Sequence, residues 1–358
     1  MMESMLKEVL SSYRISPTAL IQPHGSGLIH NTWKITDRSN QYILQRINHS
    51  VFKQPEHIAH NIEAISSWLK KNHPEYFFVT PIKTANDEGM LHLQDHGYFR
   101  LFPFVQGSST YDIAQDSKQA CEAARQFGLF TCVLNDFPAK DLKITLPDFH
   151  NLSYRYTQFE HSIEQGNSSR IQEAKGEIDY LHAQNHILST YKEIVAWKEF
   201  KMRVTHHDTK ISNVLFDKDG KGICVIDLDT VMPGYFISDV GDMLRTYLSP
   251  VSEEEKDFEK IAIREDFFEA IACGYLNEMA LELTSVEIEH FVYSGLFMTY
   301  MQALRFLTDY LNDDVYYGSS YEGHNYVRAK NQIVLLERLL EKEDELNKIV
   351  TRISPNRH

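Results

Sequence analysis

Over the first hundred positions apolar residues recur mostly in short alternating runs. The stretches Ser26 to Thr36 and Gln41 to Ile47 are rich in β-branched and aromatic residues and flank the polar turn Asp37-Arg-Ser-Asn40, which predicts a hairpin. Pro55 then opens a segment whose Ile58, Ile62, Ile65 and Leu69 repeat at helical spacing. Phe77 to Thr84 and Met90 to Gln94 predict a second hairpin around Asn86-Asp-Glu-Gly89, and Tyr98 to Val105 predicts one more strand. Beyond Gly107 the period changes. Amphipathic helices are expected at about Asp116 to Asn135, Ser168 to Lys198, Glu253 to Glu278, Ser285 to Leu311 and Tyr326 to Thr351, interrupted by two short strands near residues 204–226. The expected class is α+β, with a small β-rich domain carrying one helix over 1–105 and a larger helical domain over 106–358.

Composition narrows the partners. A chain of 358 residues with 42% hydrophobic and 12% aromatic side chains can bury the cores of about two domains. Lys plus Arg number 36 against 50 Asp plus Glu, and the net charge of −14 repels nucleic acid and anionic membrane, so any bound anion needs a local site. Cys121, Cys132, Cys224 and Cys273 have neither metal-ligand spacing nor the density of a secreted disulfide framework, and read as reduced thiols. The first ten residues contain acidic and polar breaks where a signal peptide needs an apolar core. Phe291 to Leu307 is interrupted by Tyr293, Gln302 and Arg305, so it reads as a buried helix instead of a membrane span. A soluble, cytoplasmic protein is expected, with no nucleic-acid, membrane or obligate protein partner implied.

The chemistry concentrates in Val204-Thr-His-His-Asp-Thr-Lys-Ile-Ser-Asn-Val-Leu-Phe216 and Ile223-Cys-Val-Ile-Asp-Leu-Asp229. Asp208 stands five residues before Asn213, and Asp227 ends an apolar strand, the order in which protein kinases place base, metal-binding Asn and metal-binding Asp. A γ-phosphoryl group in transit spreads negative charge over its oxygens, so the protein mainly holds Mg²⁺, orients an acceptor hydroxyl and supplies positive charge. Asn213 and Asp227 offer hard oxygen ligands for Mg²⁺. Asp208 is the candidate base and Lys210 the cation placed to touch the transferring phosphate. The competing reading is a polar loop with Asp and Asn as turn residues. The fold expected from this order is the two-lobe, protein-kinase-like one, with ATP in the cleft between lobes.

On the nucleotide side, Gly25 and Gly27 lie between predicted strands, where backbone N–H groups can approach phosphates, or where a hairpin turn needs glycine for its angles. Kinases place a lysine on the third strand to hold the α and β phosphates. Here that place falls on Gln45, with Arg46 on the opposite face of a regular strand. Either Gln45 binds phosphate as a neutral donor, or a bulge turns Arg46 inward. Glu63 on the following helix is a partner for such a cation or a solvated surface charge. The apolar stretch Arg100-Leu-Phe-Pro-Phe-Val-Gln-Gly107 reads as an inter-lobe hinge, with Pro103 and Val105 the backbone positions to meet adenine.

No long peptide-presenting segment ending in Ala-Pro-Glu follows Asp227, which favours a small hydroxylated acceptor. The His-x-Asp-x-x-x-x-Asn and Ile-Asp motifs resemble those of the aminoglycoside phosphotransferase and choline kinase superfamily. Four stretches are similar to those of the N-acetylhexosamine 1-kinases: Tyr42-Ile-Leu-Gln-Arg-Ile-Asn48, His207-Asp-Thr-Lys-Ile-Ser-Asn213, Ile226-Asp-Leu-Asp-Thr-Val-Met-Pro-Gly234 and Asn325-Tyr-Val-Arg-Ala-Lys-Asn331. That resemblance runs through nearly the whole chain. It implies ATP- and Mg²⁺-dependent phosphorylation of the anomeric hydroxyl of N-acetylglucosamine or N-acetylgalactosamine, with Asp208 as base. It also implies sugar contacts from His30, Asp208, Asp229, Arg305 and Tyr317, and the resembling enzymes share Gln45-Arg46. Each contact has an alternative: a turn hydrogen bond for His30, a cap for Asp229, a buried ion pair for Arg305 and helix-end packing for Tyr317. Asp239 and Asp242 are expected to orient the catalytic loop. Other acceptors within the superfamily are choline, homoserine or an aminoglycoside, and the reading from a different class is a non-catalytic nucleotide-binding protein.

Overall fold

The structure, a computed structural model, describes residues 2–25 and 29–354. In chain order it runs α1 (Met2–Ser12), β1 (Leu20–Pro23), β2 (Asn31–Asp37), β3 (Asn40–Arg46), α2 (Pro55–Asn72), β4 (Leu91–Leu93), β5 (Gly97–Pro103) and α3 (Ser117–Val133). Then follow α4 (Leu152–Gln165), α5 (Ser168–Glu173), α6 (Lys175–Ala183), α7 (His186–Ala196), β6 (Arg203–Thr205), β7 (Val214–Phe216), β8 (Gly222–Val225) and β9 (Met232–Gly234). The chain ends with α8 (Phe236–Tyr247), α9 (Glu265–Met279), α10 (Ser285–Glu289), α11 (Phe291–Leu311) and α12 (His324–Ile353). This is the α+β, kinase-like class that the sequence pattern predicts. The chain divides into two compact units, one of Met1–Ser109, Asp136–Pro147 and Leu215–Pro233, the other of Thr110–Asn135, Asp148–Val214 and Gly234–His358.

The first unit is built on an antiparallel sheet in the order β1-β2-β3-β5-β4. Trp33 and Ile35 of β2 alternate with less buried neighbours, as a strand with one covered face requires. They close a core with Leu44, Phe99, Leu101 and the apolar face of α1, Met5, Leu6, Val9 and Leu10. Tyr13 anchors the end of that face by donating its hydroxyl to the Phe99 carbonyl at 3.0 Å. In α2 the proline at the first turn, Lys70 and Lys71 in the last turn, and the buried Ile58, Ile62, Ile65 and Leu69 satisfy start, dipole and packing together. Burying four such aliphatic side chains stabilises the unit by about 1.5–3 kcal/mol each.

The second hairpin is paired differently from the expectation. Residues 77–84 form no strand; Ile82 makes only an isolated bridge to Leu101, and β4 pairs with β5 instead. Pro81 explains this, because it has no N–H to give a ladder. The elements α1 and β1 were not predicted.

In the second unit, α11 is buried along most of its length, confirming a core helix for 291–307. Two glycines set helix contacts. A Cβ at Gly274 of α9 would lie 2.2 Å from the Cys121 carbonyl of α3, and one at Gly241 of α8 would lie 2.4 Å from the Ser294 carbonyl of α11. The long helix expected over 168–198 breaks into α5, α6 and α7, with Asn167 capping the first through its side chain. Helix α4, begun by the Asn151 cap, was missed. The helix expected from Glu253 begins only at Glu265. Upstream, Glu253 is taken by Arg245 and Arg328, and Arg264 donates to the Tyr247, Leu248 and Ser249 carbonyls. Residues 285–311 form two helices, α10 and α11, separated at His290.

Candidate active site

Strand β6 is fully buried and delivers the chain into residues 206–213, whose backbone is held by the first turns of α8. Asp239 and Asp242 sit three residues apart on one helix face. Asp239 accepts the N–H groups of His206 at 2.9 Å and His207 at 2.7 Å, and Asp242 accepts that of Thr209 at 2.8 Å. The Thr209 hydroxyl donates to the Asp239 carbonyl at 2.7 Å, and Tyr247 donates to the Thr209 carbonyl at 2.5 Å. Burial pushes the Asp239 carboxyl up to about 6 despite those two donors. Asp242 is raised by burial too, with Arg245 opposing. These residues orient the loop, as the sequence reading expects.

His207 has a φ of 65°, the left-handed region that few side chains adopt. Its ring fills the space beside Gly234, where a Cβ would come within 2.3 Å of Thr205 Oγ1 and 2.5 Å of the imidazole. His207 Nε2 lies 2.8 Å from Thr205 Oγ1 and Nδ1 lies 3.3 Å from His150 Nδ1. Burial, then the charges of His207 and Arg305, hold His150 well below its ordinary value, hence neutral.

With the backbone so fixed, Asp208, Lys210 and Asn213 come together. Asn213 Nδ2 donates to the Asp208 carbonyl at 2.8 Å and to Asp208 Oδ2 at 3.0 Å, while Lys210 Nζ lies 3.1 Å from Asp208 Oδ1. The charge of Asp208 raises the Lys210 ammonium above its usual range. Because the Asn213 amide hydrogens are committed to Asp208, its Oδ1 is the atom left for a cation.

Arg305 and Tyr317 also meet. Arg305 Nη1 donates to Gln302 Oε1 at 3.1 Å, and Gln302 Nε2 donates to the Tyr317 hydroxyl at 3.2 Å. The guanidinium lies 5.6 Å from the Phe149 ring and 5.5 Å from the Tyr317 ring. Asp309 fixes the Tyr317 backbone by accepting its N–H at 2.9 Å. Among the described residues Arg305 has no carboxylate within ion-pair distance, so the alternative of a buried ion pair is not realised. Arg155, lowered by burial and then by the Arg305 charge, adds a second cation there.

In the first unit β8 leads to Asp227, which is exposed at a φ of 60°. Two residues on, Asp229 is 2% exposed and carries two partners. His30 Nε2 lies 2.5 Å from its Oδ2, and Arg100 Nη1 forms an ion pair with its Oδ1. His30 Nδ1 accepts the Asn48 N–H at 3.0 Å, so neutral His30 carries its proton on Nε2 and donates it to Asp229. Burial pushes the Asp229 carboxyl up, but Arg100 and His30 outweigh it and hold the group below the ordinary carboxylate range. Asn61 of α2 steadies the same stretch: it donates to the Lys143 carbonyl at 2.8 Å and the Val231 carbonyl at 2.9 Å, and accepts the Lys143 N–H at 2.8 Å.

Strand β3 runs in unbroken register with β2 and β5, so no bulge turns Arg46 inward. Arg46 lies 6.0 Å from the Phe99 ring. Gln45 Oε1 accepts from Arg100 Nε at 3.0 Å. Among the described residues Glu63 makes an exposed pair with Lys83 at 3.7 Å. Gly25 is exposed with a φ of 79°, which glycine admits without strain, and Gly27 lies outside the described residues. Pro103 ends β5, and the Val105 carbonyl accepts the Ser108 hydroxyl at 2.7 Å. Sequence reasoning placed Arg100 only at the start of a hinge. The signal in the sequence is an arginine set between Phe99 and Leu101 in an apolar strand, where a buried charge would need a partner.

Asn213 Oδ1 and the Asp227 carboxylate are each hard oxygen donors of the kind that could ligate a divalent cation such as Mg²⁺. Mg²⁺ is held by one or two such ligands plus substrate phosphates. When bound, the ion neutralises charge on the phosphates.

A β-rich first unit, a helical second unit and an Asp-Asn-Asp set of this order define a kinase-like phosphotransferase fold. The chain belongs to the phosphotransferase enzyme family, APH, whose family model matches residues 20–267. Among solved structures it is similar to a microcompartment-associated aminopropanol kinase at 15% identity, covering 96% of this chain and 98% of that one with a TM-score of 0.64. It is likewise similar to an aminoglycoside phosphotransferase from Alicyclobacillus acidocaldarius at 13% identity, 96% and 95% coverage and a TM-score of 0.64. An amicoumacin kinase in complex with AMP-PNP and Ca²⁺ matches at 14% identity, 94% and 93% coverage and a TM-score of 0.63. At these identities the likeness is one of fold, the fold of small-molecule kinases. No helix among the described residues is long and apolar enough to cross a membrane.

Proposed function

We propose that this chain transfers the γ-phosphoryl group of ATP, with Mg²⁺, to the anomeric hydroxyl of an N-acetylhexosamine, giving the sugar 1-phosphate. The observation that carries the acceptor choice is Arg305, which stands beside Tyr317 and Gln302 with no carboxylate within ion-pair distance among the described residues, with Arg155 as a second cation. Uncompensated positive charge disfavours a cationic acceptor such as choline or an aminoglycoside, and suits a neutral acceptor rich in hydroxyl and carbonyl oxygens. The Asp229 carboxylate, held by His30 and Arg100, keeps oxygen lone pairs that can accept from sugar hydroxyls.

In this reading Asp208 accepts a hydrogen bond from the acceptor hydroxyl and takes its proton as the bond to phosphorus forms. Lys210 supplies positive charge to the transferring group, and Asn213 and Asp227 hold Mg²⁺. Gly25, Gly27, Arg46, Pro103 and Val105 are proposed on the nucleotide side, whereas Gln45, expected there from its place on the strand, has its Oε1 taken by Arg100. His30, Asp229, Arg305 and Tyr317 are proposed to hold the sugar.

ADP release measured with Mg²⁺-ATP over N-acetylglucosamine, N-acetylgalactosamine, glucose, galactose, choline, homoserine and kanamycin, with the phosphorylated position read by phosphorus NMR, tests this. Turnover of an N-acetylhexosamine to an acid-labile 1-phosphate is expected. Turnover of choline or kanamycin alone removes the sugar, and nucleotide binding without turnover of any acceptor removes catalysis.

A further inference from the structure

Arg100 is 1% exposed and among the largest fully buried side chains of the described residues. A buried guanidinium is tolerated only where its charge and donors are met. Here the charge is met by a carboxylate and the Nε donor by an acceptor. Nε donates to Gln45 Oε1 at 3.0 Å, Nη1 forms the ion pair with Asp229 Oδ1, and the guanidinium lies 5.1 Å from the Phe102 ring. The register explains the meeting, because Arg100 of β5 stands directly opposite Gln45 of β3. Gln45 occupies the strand position where related chemistry places a phosphate-binding lysine. The buried positive charge here stands on the neighbouring strand β5, and its carboxylate partner belongs to the stretch just after Asp227.

Asp229 is bound on both sides, Oδ1 by Arg100 and Oδ2 by His30, and His30 is fixed in turn by the Asn48 N–H at 3.0 Å. A carboxylate with only one partner can rotate about its χ angles, whereas one held at both oxygens has a single orientation. We infer that Arg100 is a positioning residue for the acceptor. With Gln45 it locks Asp229, and through Asp229 the His30 imidazole, into the geometry that receives the acceptor hydroxyls, and it takes no part in holding nucleotide phosphates. The inference rests on the reading of His30 and Asp229 as acceptor-binding groups.

Two substitutions test it. Arg100→Met removes the charge, and Gln45→Leu leaves the charge but removes the Nε acceptor from a partly exposed strand position that folding tolerates more readily. With either, KM for the acceptor is expected to rise, by about tenfold to a hundredfold for Arg100→Met and less for Gln45→Leu. The ATP dissociation constant measured by calorimetry should stay at the wild-type value, and kcat at saturating acceptor should change far less than KM. In an Asp229→Asn background either substitution should add little, because the group it positions is already impaired.

A fall in ATP affinity with unchanged acceptor KM would overturn the inference by returning Arg100 to the phosphates. A lowered melting temperature with both affinities intact would reduce Arg100 to a structural ion pair. If Arg100→Met does not fold, Gln45→Leu decides: an unchanged acceptor KM sinks the idea. Wild-type turnover is measured first, and the variants are assayed with whichever acceptor it uses. Failure of the sugar reading then appears in the wild type, and failure of the positioning role appears only in the variants.

Discussion

Asp208 has Lys210 beside one carboxylate oxygen and Asn213 on the other, so it is held in place before any substrate arrives. Asp208→Asn keeps the size and most of this hydrogen bonding but cannot take a proton. A loss of about 10²–10⁴ in kcat is expected with nucleotide affinity retained, measured by steady-state turnover beside calorimetric ATP binding. Near-normal turnover would remove Asp208 from the base role. The triplet of Asp208, Lys210 and Asn213 was legible in the sequence because its geometry is local, set by spacing within one short loop. His30 and Asp229, 199 residues apart, were singled out only through a resemblance, since no local pattern joins them. Arg100 was not legible as a site neighbour, because what distinguishes it is a partner supplied by a distant part of the chain.

Among the elements, β3, α2 and α12 follow the expected spacing, and β2 begins at Asn31 within the run expected from Ser26. The helix expected over 285–311 is right in its buried second part, α11, but breaks at His290. Where tertiary pairing outweighs local pattern, the reading failed. The clearest case is 253–264, where a helical pattern yields to a web of ion pairs. There Glu253 accepts from Arg245, near the end of α8, at 2.7 Å, and pairs with Arg328 of α12. Burial pushes the Glu253 carboxyl up, but the two arginines outweigh it and bring it down to about 2, from an ordinary value of 4.5. A folded value below the unfolded one contributes stability at neutral pH that is lost as pH falls from about 4.5 toward 2. Glu253→Gln should therefore cost about 1–3 kcal/mol at pH 7 and flatten the acid limb of the stability curve, as read from urea midpoints across pH. An unchanged acid limb would mean that the web is not coupled to folding. Gly274 makes a second prediction for packing. Its Cβ site lies 2.2 Å from a backbone carbonyl of α3, so Gly274→Ala should destabilise by about 1–3 kcal/mol in the same assay, with acceptor KM unmoved.

For the whole molecule, the two compact units are not two pieces of sequence. The chain passes between them at 109/110, 135/136, 147/148, 214/215 and 233/234. The first unit takes Asp229 and the partners of Asn61 from segments far beyond residue 109. A fragment of residues 1–109 would keep Arg100 and Asn61 while losing the carboxylate and carbonyls that satisfy them. It should show no cooperative thermal transition by circular dichroism, and a sharp one would show that the sheet and α1 suffice.

Gly234 carries a consequence for anyone who would redirect the enzyme to another acceptor. Every amino acid other than glycine has a Cβ, and at this position that atom meets the Thr205 hydroxyl and the His207 ring at less than van der Waals distance. A saturation library that varies the codon spends its diversity on variants in which the loop bearing Asp208 must shift. On the reading proposed above, the useful search space excludes codon 234 and lies instead around Arg305 and Tyr317.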